Sequence, residues 1–200
     1  MVNMVGTPLD VLPYVRGIQM VLSGYEGYTK GKRRDADLAI REEIKRCGTR
    51  ARNHLMNIHD SCFREKKIDV SKAAKACCNT IDQLIEDVDK SPTGMTHAFF
   101  SGQRSASTSV LKKLIKHDHD VIEMMTKAVN ISNSVEHAYS SDKTVDEIKS
   151  LIRQCEQMIT SSRGYFSARS TVLNGLRQKK KVWKWLRILN GEVILILLQD

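Results

Sequence analysis

The sequence has few of the residues that interrupt helices and few that favour β-sheets. Only three of its 200 residues are proline, eleven are glycine, and aromatic residues make up 6% of the chain. Charged residues account for 28%. This composition is poor for a β-sandwich and ordinary for a helical protein. It favours an all-α fold, and the length suits one domain with a sizeable core.

Features of an exported or membrane-spanning protein are also missing. The five cysteines are odd in number and form no CxxC pair, and four of them fall at apolar positions of helical patterns, where a free thiol acts as a small hydrophobic group. The N-terminus lacks the basic start and apolar run of a signal peptide. No stretch reaches the roughly 18–20 apolar residues that span a bilayer. We expect a reducing, cytoplasmic location, with peripheral attachment to a membrane as the alternative.

No group of residues in the sequence converges on a catalytic or cofactor site. The strongest metal candidate is the His-Asp-His-Asp run at 117–120, in which His119 shares a helical face with Glu123. A closed site needs further ligands that the sequence cannot place. His117 falls on the apolar stripe of its helix, whereas Asp118 is interpreted as an ordinary polar neighbour. We therefore expect a non-enzymatic protein without a metal, a cofactor or a small-molecule substrate.

Apolar residues recur at helical spacing through the first three of five segments. The first segment predicts a helix over about 10–28, and Asp35 is a plausible N-cap for the second. The predicted inward residues of the second helix are Ile40, Ile44, Cys47, Ala51, Leu55, Ile58 and Cys62. Those of the third are Ala74, Cys77, Ile81, Leu84 and Val88. Such stripes are typical of helices that bury one face.

The fourth and fifth segments show a longer alternation of four-residue and three-residue steps. The stripe of the fourth comprises Val110, Leu114, His117, Val121, Met124, Ala128, Ile131, Val135 and Ala138. That of the fifth comprises Val145, Ile148, Ile152, Cys155, Ile159, Ser162, Phe166, Arg169, Leu173 and Leu176. Thr144 and Glu147 form a capping box at the start of the fifth. Short breaks between segments favour antiparallel neighbours, which predicts an elongated antiparallel bundle of four to five helices over residues 8–178.

The last segment, 179–200, differs from the rest of the chain. It is first basic and aromatic and then apolar, with Asn190-Gly191 between the two parts. That dipeptide is typical of a β-hairpin, and an amphipathic helical segment is the alternative. Basic residues beside tryptophan also suit an anionic membrane surface, and a segment folded back to cap an open end of the bundle is an equally weighted alternative. The candidate membrane-binding residues are Lys179, Lys180, Lys181, Trp183, Lys184, Trp185 and Arg187.

A net charge of +9 allows an anionic partner such as nucleic acid. Arg34, Arg41, Lys45 and Arg52 are spaced seven, four and seven residues apart, so they could line one helical stripe and follow phosphates by charge alone. Acidic residues lie among them and can pair locally. No aromatic residues interleave to stack bases, and a solvated face is therefore the favoured interpretation.

These patterns lead to three functional expectations. The leading one is a non-enzymatic interaction or assembly module that presents helix faces to a protein partner or to copies of itself. The first alternative is peripheral membrane binding through 179–200. The second is sequence-nonspecific nucleic-acid binding through the basic stripe.

Overall fold

The regular secondary structure is helical throughout the described residues. The computed structural model describes residues 9–29, 31–91 and 108–178. A 3-10 turn, Leu9–Val11, leads into the short helix α1, Leu12–Gln19. Four long helices follow: α2, Arg33–Arg64; α3, Ile68–Lys90; α4, Thr108–Ser140; and α5, Val145–Gln178. The predicted all-α bundle of four to five helices is confirmed.

The four long helices form two antiparallel hairpins that pack side by side. α2 pairs with α3 and α4 pairs with α5, while α2 lies beside α4 and α3 lies beside α5. Thr80 of α3 contacts Glu156 of α5, and Gln83, further along α3, contacts Arg163, further along α5. Residue numbers therefore rise in the same direction in both helices, which are parallel. It follows that α2 and α4 are also parallel, and that α2 and α5 occupy one diagonal of the bundle.

The bundle is elongated and has two distinct ends. The 33 residues of α4 extend about 50 Å at roughly 1.5 Å per residue. Both hairpin turns, at 65–67 and 141–144, lie at one end, which we call the hairpin end. Helix α1 packs against the first half of α4 at the opposite end, which we call the α1 end.

The core follows the predicted stripes of α2 and α3 completely and those of α4 and α5 in part. In α4, five of the nine predicted residues are buried, while Val110, His117, Met124 and Ile131 are half-buried. All seven predicted residues of α2 and all five of α3 are buried. In α5, up to residue 169, the buried residues are Ile148, Ile152, Cys155, Ile159, Ser162, Phe166 and Arg169. The prediction that Val145 faces inward was wrong, because this first residue of α5 is 42% exposed beside the hairpin turn, and the predicted Leu173 and Leu176 lie outside the described side chains. The five cysteines are buried free thiols. Apolar periodicity therefore identifies the inward faces of α2 and α3 and of most of α5.

Helix α1 is shorter than its sequence pattern predicts. The pattern indicates a helix over about 10–28, but α1 ends at Gln19. Gly24 and Gly27 have φ angles of +88° and +69°, which glycine adopts without the steric cost of a Cβ. The chain turns at these glycines and still returns Tyr25 and Tyr28 to the core. The predicted helix was therefore wrong beyond its first half.

The start of α5 agrees with its predicted capping box. The Glu147 backbone N–H donates to Thr144 Oγ1 at 3.3 Å, and the Thr144 N–H donates to Glu147 Oε2 at 3.1 Å. Helix α2 instead begins two residues before the predicted cap at Asp35. Along the described ranges, no helix combines the length and the apolar character that a membrane crossing requires.

Candidate functional site

A cluster of charged side chains is buried at the α1 end of the bundle. We call Asp37, Arg41, Asp118, Arg169 and Tyr28 the ionic cluster. The exposed fraction of its members ranges from 0% for Asp118 to 8% for Arg41. Asp37 and Arg41 come from α2, Asp118 from α4, Arg169 from α5 and Tyr28 from the segment after α1. The cluster therefore joins four separate parts of the chain.

Arg169 is the centre of the ionic cluster. Its Nε donates to Asp118 Oδ1 at 2.8 Å, and its Nη1 donates to Asp37 Oδ1. Its Nη2 donates to the Tyr28 hydroxyl, which in turn donates to Asp118 Oδ2. Since α2 and α5 are diagonal to each other, the Arg169 side chain reaches across the middle of the bundle. The Arg169 guanidinium thus links α5 to the diagonally opposite α2.

Arg41 extends the ionic cluster to the end of α3. Its Nε donates to Asp37 Oδ2 at 2.9 Å. Its Nη1 donates to the Val88 carbonyl at 2.9 Å and to Ser91 Oγ at 2.6 Å. The guanidinium also lies 5.5 Å from the centre of the Phe166 ring. Because carbonyls of a last helical turn have no partner within their helix, Arg41 satisfies one that α3 leaves open.

The charges of the ionic cluster balance, since two arginines face two aspartates. Burial acts to lower the pKa of Arg169, but the neighbouring Asp118 and its other partners more than offset this and raise that pKa. For Tyr28, burial raises the pKa, so its hydroxyl stays protonated. Buried charges are tolerated only when they are paired and hydrogen-bonded. This arrangement suits a structural connection, because every charge is engaged by another member.

Tyr25 lies next to the ionic cluster. Its hydroxyl is buried and has no hydrogen-bond partner among the described residues. Burial raises its pKa, and the nearby Asp118 raises it further. Tyr25 therefore adds a neutral ring to the α1 end, and it contributes no ionised group at ordinary pH.

The hairpin end carries exposed apolar side chains. Phe63 is 62% exposed, Ile68 is 40% exposed and Val145 is 42% exposed. Ile68 and Val145 line one shallow depression together with Lys66 and Lys67. We call these three apolar side chains and the charged residues of 64–69 and 142–147 the hairpin-end surface.

Charges of both signs surround the apolar part of the hairpin-end surface. Its cations are Arg64, Lys66, Lys67 and Lys143, and its anions are Glu65, Asp69, Asp142, Asp146 and Glu147. Some of them pair internally, as Lys67 Nζ does with Glu65 Oε2 at 2.8 Å. The surface is therefore close to neutral and presents both donors and acceptors around its apolar centre.

The four residues of the predicted basic stripe do not form one exposed surface. Arg34 is exposed, but Arg41 is buried in the ionic cluster. Lys45 pairs with Glu42 and Asp89, and Arg52 pairs with Asp82. The expectation that all four face solvent was wrong for Arg41, because Asp37, the Val88 carbonyl and Ser91 bind its guanidinium. Nucleic-acid binding by this region stays a prediction.

The roles expected for His117 and Asp118 are exchanged. His117 lies at the edge of the core, where its Nε2 is 2.5 Å from the Tyr165 carbonyl oxygen and its ring stacks on that of Tyr165. Asp118 is the fully buried residue. It points inward because Arg169 and Tyr28 provide the partners that a buried carboxylate requires.

The seven candidate membrane-binding residues lie outside the described residues. This holds for Lys179, Lys180, Lys181, Trp183, Lys184, Trp185 and Arg187, and for the Asn190-Gly191 dipeptide. The predicted boundary at 178 and the β-hairpin stay predictions.

The ionic cluster was not predicted from the sequence, although the sequence contains one sign of it. Arg169 occupies a position on the apolar stripe of α5 where a charge is unexpected. A charged residue at such a position indicates a buried partner, but the spacing does not show which helix supplies it. Comparison with protein-family models, with curated proteins and with solved structures found nothing that this chain matches.

Proposed function

We propose that this chain is a non-enzymatic helical assembly module that binds a second copy of itself through the hairpin-end surface. The observation that carries the proposal is the exposure of Phe63, Ile68 and Val145 at one end of the bundle. Single exposed apolar residues are common on soluble proteins. Here three come from three different helices and lie around the two hairpin turns, which makes this end a candidate contact surface.

The mixed charges of the hairpin-end surface favour a second copy as the partner. Two identical subunits most often meet about a two-fold axis, where each surface faces itself. A surface of one sign would repel its copy, whereas a nearly neutral one can place the cations of one subunit against the anions of the other. Lys66 and Lys67 lie close to Asp69 in the same turn. Such self-complementarity supports association end to end.

The α1 end supports a structural role for the remainder of the bundle. The charged groups of the ionic cluster bind one another, so they are not available to bind a substrate. An assembly module needs a rigid body that holds its contact surface in place. The ionic cluster and the long apolar core can provide that rigidity.

Sedimentation velocity over a range of protein concentrations tests self-association. The variant is the double substitution Ile68→Ser and Val145→Ser. The matched control is Leu38→Ser, because Leu38 is 44% exposed and lies on α2 near the α1 end. We expect the native chain and the control to dimerise alike, and the double variant to bind itself about tenfold more weakly or worse, a loss of roughly 1.4 kcal/mol.

Two results would contradict self-association through this surface. One is a native chain that stays monomeric at every concentration. The other is equal dimerisation of the native chain and the double variant, which would place any interface elsewhere. Circular dichroism of all three proteins checks that the helical content is unchanged.

A second candidate function is peripheral membrane binding, which the sequence of 179–200 favours. Six lysines and arginines and two tryptophans fall within 177–187, and such a segment suits the headgroup region of an anionic bilayer. Flotation with neutral and acidic liposomes tests this in the full chain. We expect binding to acidic liposomes alone, with a loss on substituting Trp183 and Trp185 by alanine. Equal flotation of the native and substituted chains would reject this mechanism.

A further inference from the structure

Three potential metal ligands meet on the outer side of α4. One ligand atom each from His119, Asp120 and Glu123 lies within 4.8 Å of the other two. The side chains of His119 and Asp120 are 26% and 33% exposed, and that of Glu123 is 51% exposed. The group is therefore open to an ion from solvent and is backed by the protein on one side.

The ring of His119 is held in place by α1. Its Cδ2 and Nε2 atoms face Gly17, where a Cβ atom would come within 2.7 Å of both. Its ring also meets the edge of Tyr14 at 5.3 Å between ring centres. With this edge packed on α1, the other ring nitrogen, Nδ1, lies on the side of Asp120, 3.5 Å from Oδ1. A ligand whose orientation is already fixed loses little freedom when it binds an ion.

We propose that His119 Nδ1 and the carboxylates of Asp120 and Glu123 form a site for a divalent transition-metal ion, with Zn²⁺ as the best fit. One imidazole and two carboxylates are ligands that Zn²⁺ accepts, and Ca²⁺ or Mg²⁺ would prefer oxygen alone. With bonds of about 2.0–2.2 Å, the ligand atoms must approach one another to roughly 3.5 Å. Rotation of the exposed Glu123 side chain can supply most of this movement. Three protein ligands leave a position for water or for a ligand from elsewhere.

Lys127 competes with the ion in this site. Its Nζ pairs with Glu123 Oε1 at 2.7 Å, one turn along the exposed face of α4. An ion has to displace this ammonium group from Glu123. The pair is exposed and therefore weak, so the displacement costs little. His119 is both a ligand and a side chain that packs on α1. We therefore expect the bound ion to hold α1 more firmly against α4.

Isothermal titration of the native chain with zinc chloride, in the presence of a non-thiol reductant, tests the site. The variant is Glu123→Gln, which removes a ligand from an exposed position and leaves the packing of His119 unchanged. Glu86→Gln is the matched control, because Glu86 pairs with Lys90 at 2.5 Å in the same i,i+4 arrangement on α3. We expect one Zn²⁺ per chain, an affinity at least about tenfold lower in Glu123→Gln and an unchanged affinity in the control.

Two further readouts distinguish this site from other zinc-binding groups of the chain. The imidazole proton resonances of His119 should shift on adding Zn²⁺ in nuclear magnetic resonance spectra, and Lys127→Ala should bind the ion more tightly. The proposal is overturned if the native chain shows no saturable binding. It is also overturned if Glu123→Gln and Glu86→Gln bind alike, or if the His119 resonances do not respond.

Discussion

At the hairpin end of the bundle the buried side chains between the long helices are uncharged and mostly apolar, whereas at the α1 end paired charges are buried among apolar side chains such as Ile40, Leu114 and Phe166. Ile58, Cys62, Val135 and Ile152 fill the core near the hairpin turns. In the described ranges every buried charged residue lies in the other half, which holds Arg33, Asp37, Arg41, Glu43, Asp118 and Arg169. Both halves of the bundle thus have an apolar core, and the α1 half adds buried charged residues to it.

Apolar packing and buried charge pairs contribute differently to the bundle. Apolar packing supplies most of the free energy of folding, yet apolar side chains of similar size can exchange places at modest cost. A buried ion pair supplies little net stability, but it is costly to break because its partner is left unpaired. We therefore expect the apolar half to stabilise the bundle and the ionic cluster to fix which helices lie opposite each other.

The largest effect is expected from Arg169→Met. This change keeps a side chain of similar length but leaves Asp118 and Asp37 without their shared cation. Removing one partner of a buried pair costs about 3–5 kcal/mol of the free energy of unfolding. Urea denaturation followed by circular dichroism measures it. A loss below about 1 kcal/mol would mean that the ionic cluster is already hydrated and is not a true buried group.

A cavity at the hairpin end should lower the free energy of unfolding slightly less than Arg169→Met does. Ile152 is 1% exposed in the apolar half, and Ile152→Ala removes three buried carbons without leaving a charge unpaired. Substitutions of this kind cost about 2–5 kcal/mol. The same denaturation experiment applies. Because the two sites are in separate halves, the loss in the double variant should be the sum of the single losses, and strong coupling would contradict the division into two halves.

Tyr28→Phe tests a single hydroxyl of the ionic cluster. Asp118 loses a donor and Arg169 loses an acceptor, which should cost about 1–3 kcal/mol near neutral pH. Because burial raises the folded pKa of Tyr28 above its ordinary value of 10.0, its contribution is present below pH 10 and is lost as the pH rises through the folded value. Tyr25 acts in the same direction.

The measurement is the free energy of unfolding between neutral pH and alkaline pH. We expect it to fall less steeply with rising pH in Tyr28→Phe than in the native chain. Parallel curves would show that the Tyr28 hydroxyl ionises as readily in the folded protein as in the unfolded chain.

The smallest effect is expected from an ion pair outside the core. Arg52 Nε lies 2.7 Å from Asp82 Oδ1, with side chains that are 32% and 46% exposed. Arg52→Ala should cost only about 0.2–1 kcal/mol, and added salt should reduce the difference from the native chain. A loss as large as that of Arg169→Met would show that burial is not what separates the two kinds of ion pair.

The sequence predicts the apolar core better than the ionic cluster for a physical reason. The apolar stripes of α2 and α3 run through both halves and depend on a period within one helix, so Ile40 to Cys62 and Ala74 to Val88 are found from spacing alone. The ionic cluster depends on residues 28, 37, 118 and 169 meeting in space. No local pattern predicts that these distant residues come into contact. For this reason His117, rather than Asp118, was predicted to face inward.

In the candidate surfaces, too, the sequence indicates local features but not contacts between distant residues. The capping box at Thr144 and the helical face shared by His119 and Glu123 are local, and the sequence indicates both. The exposure of Ile68 and Val145 depends on how two hairpin turns lie beside each other, which spacing does not reveal. The chain beyond α1 turns at Gly24 and Gly27, and the burial of Tyr25 and Tyr28 beside them involves residues that are distant in the sequence.

The most direct test of the division between the two ends is amide hydrogen exchange at low and high protein concentration. If the hairpin end is the assembly surface and the α1 end is an internal connection, protection should increase with concentration at 63–69 and 142–147. Amides around Asp37, Asp118 and Arg169 should exchange at the same slow rate throughout. Concentration-dependent protection confined to the α1 end, or none at either end, would contradict the account.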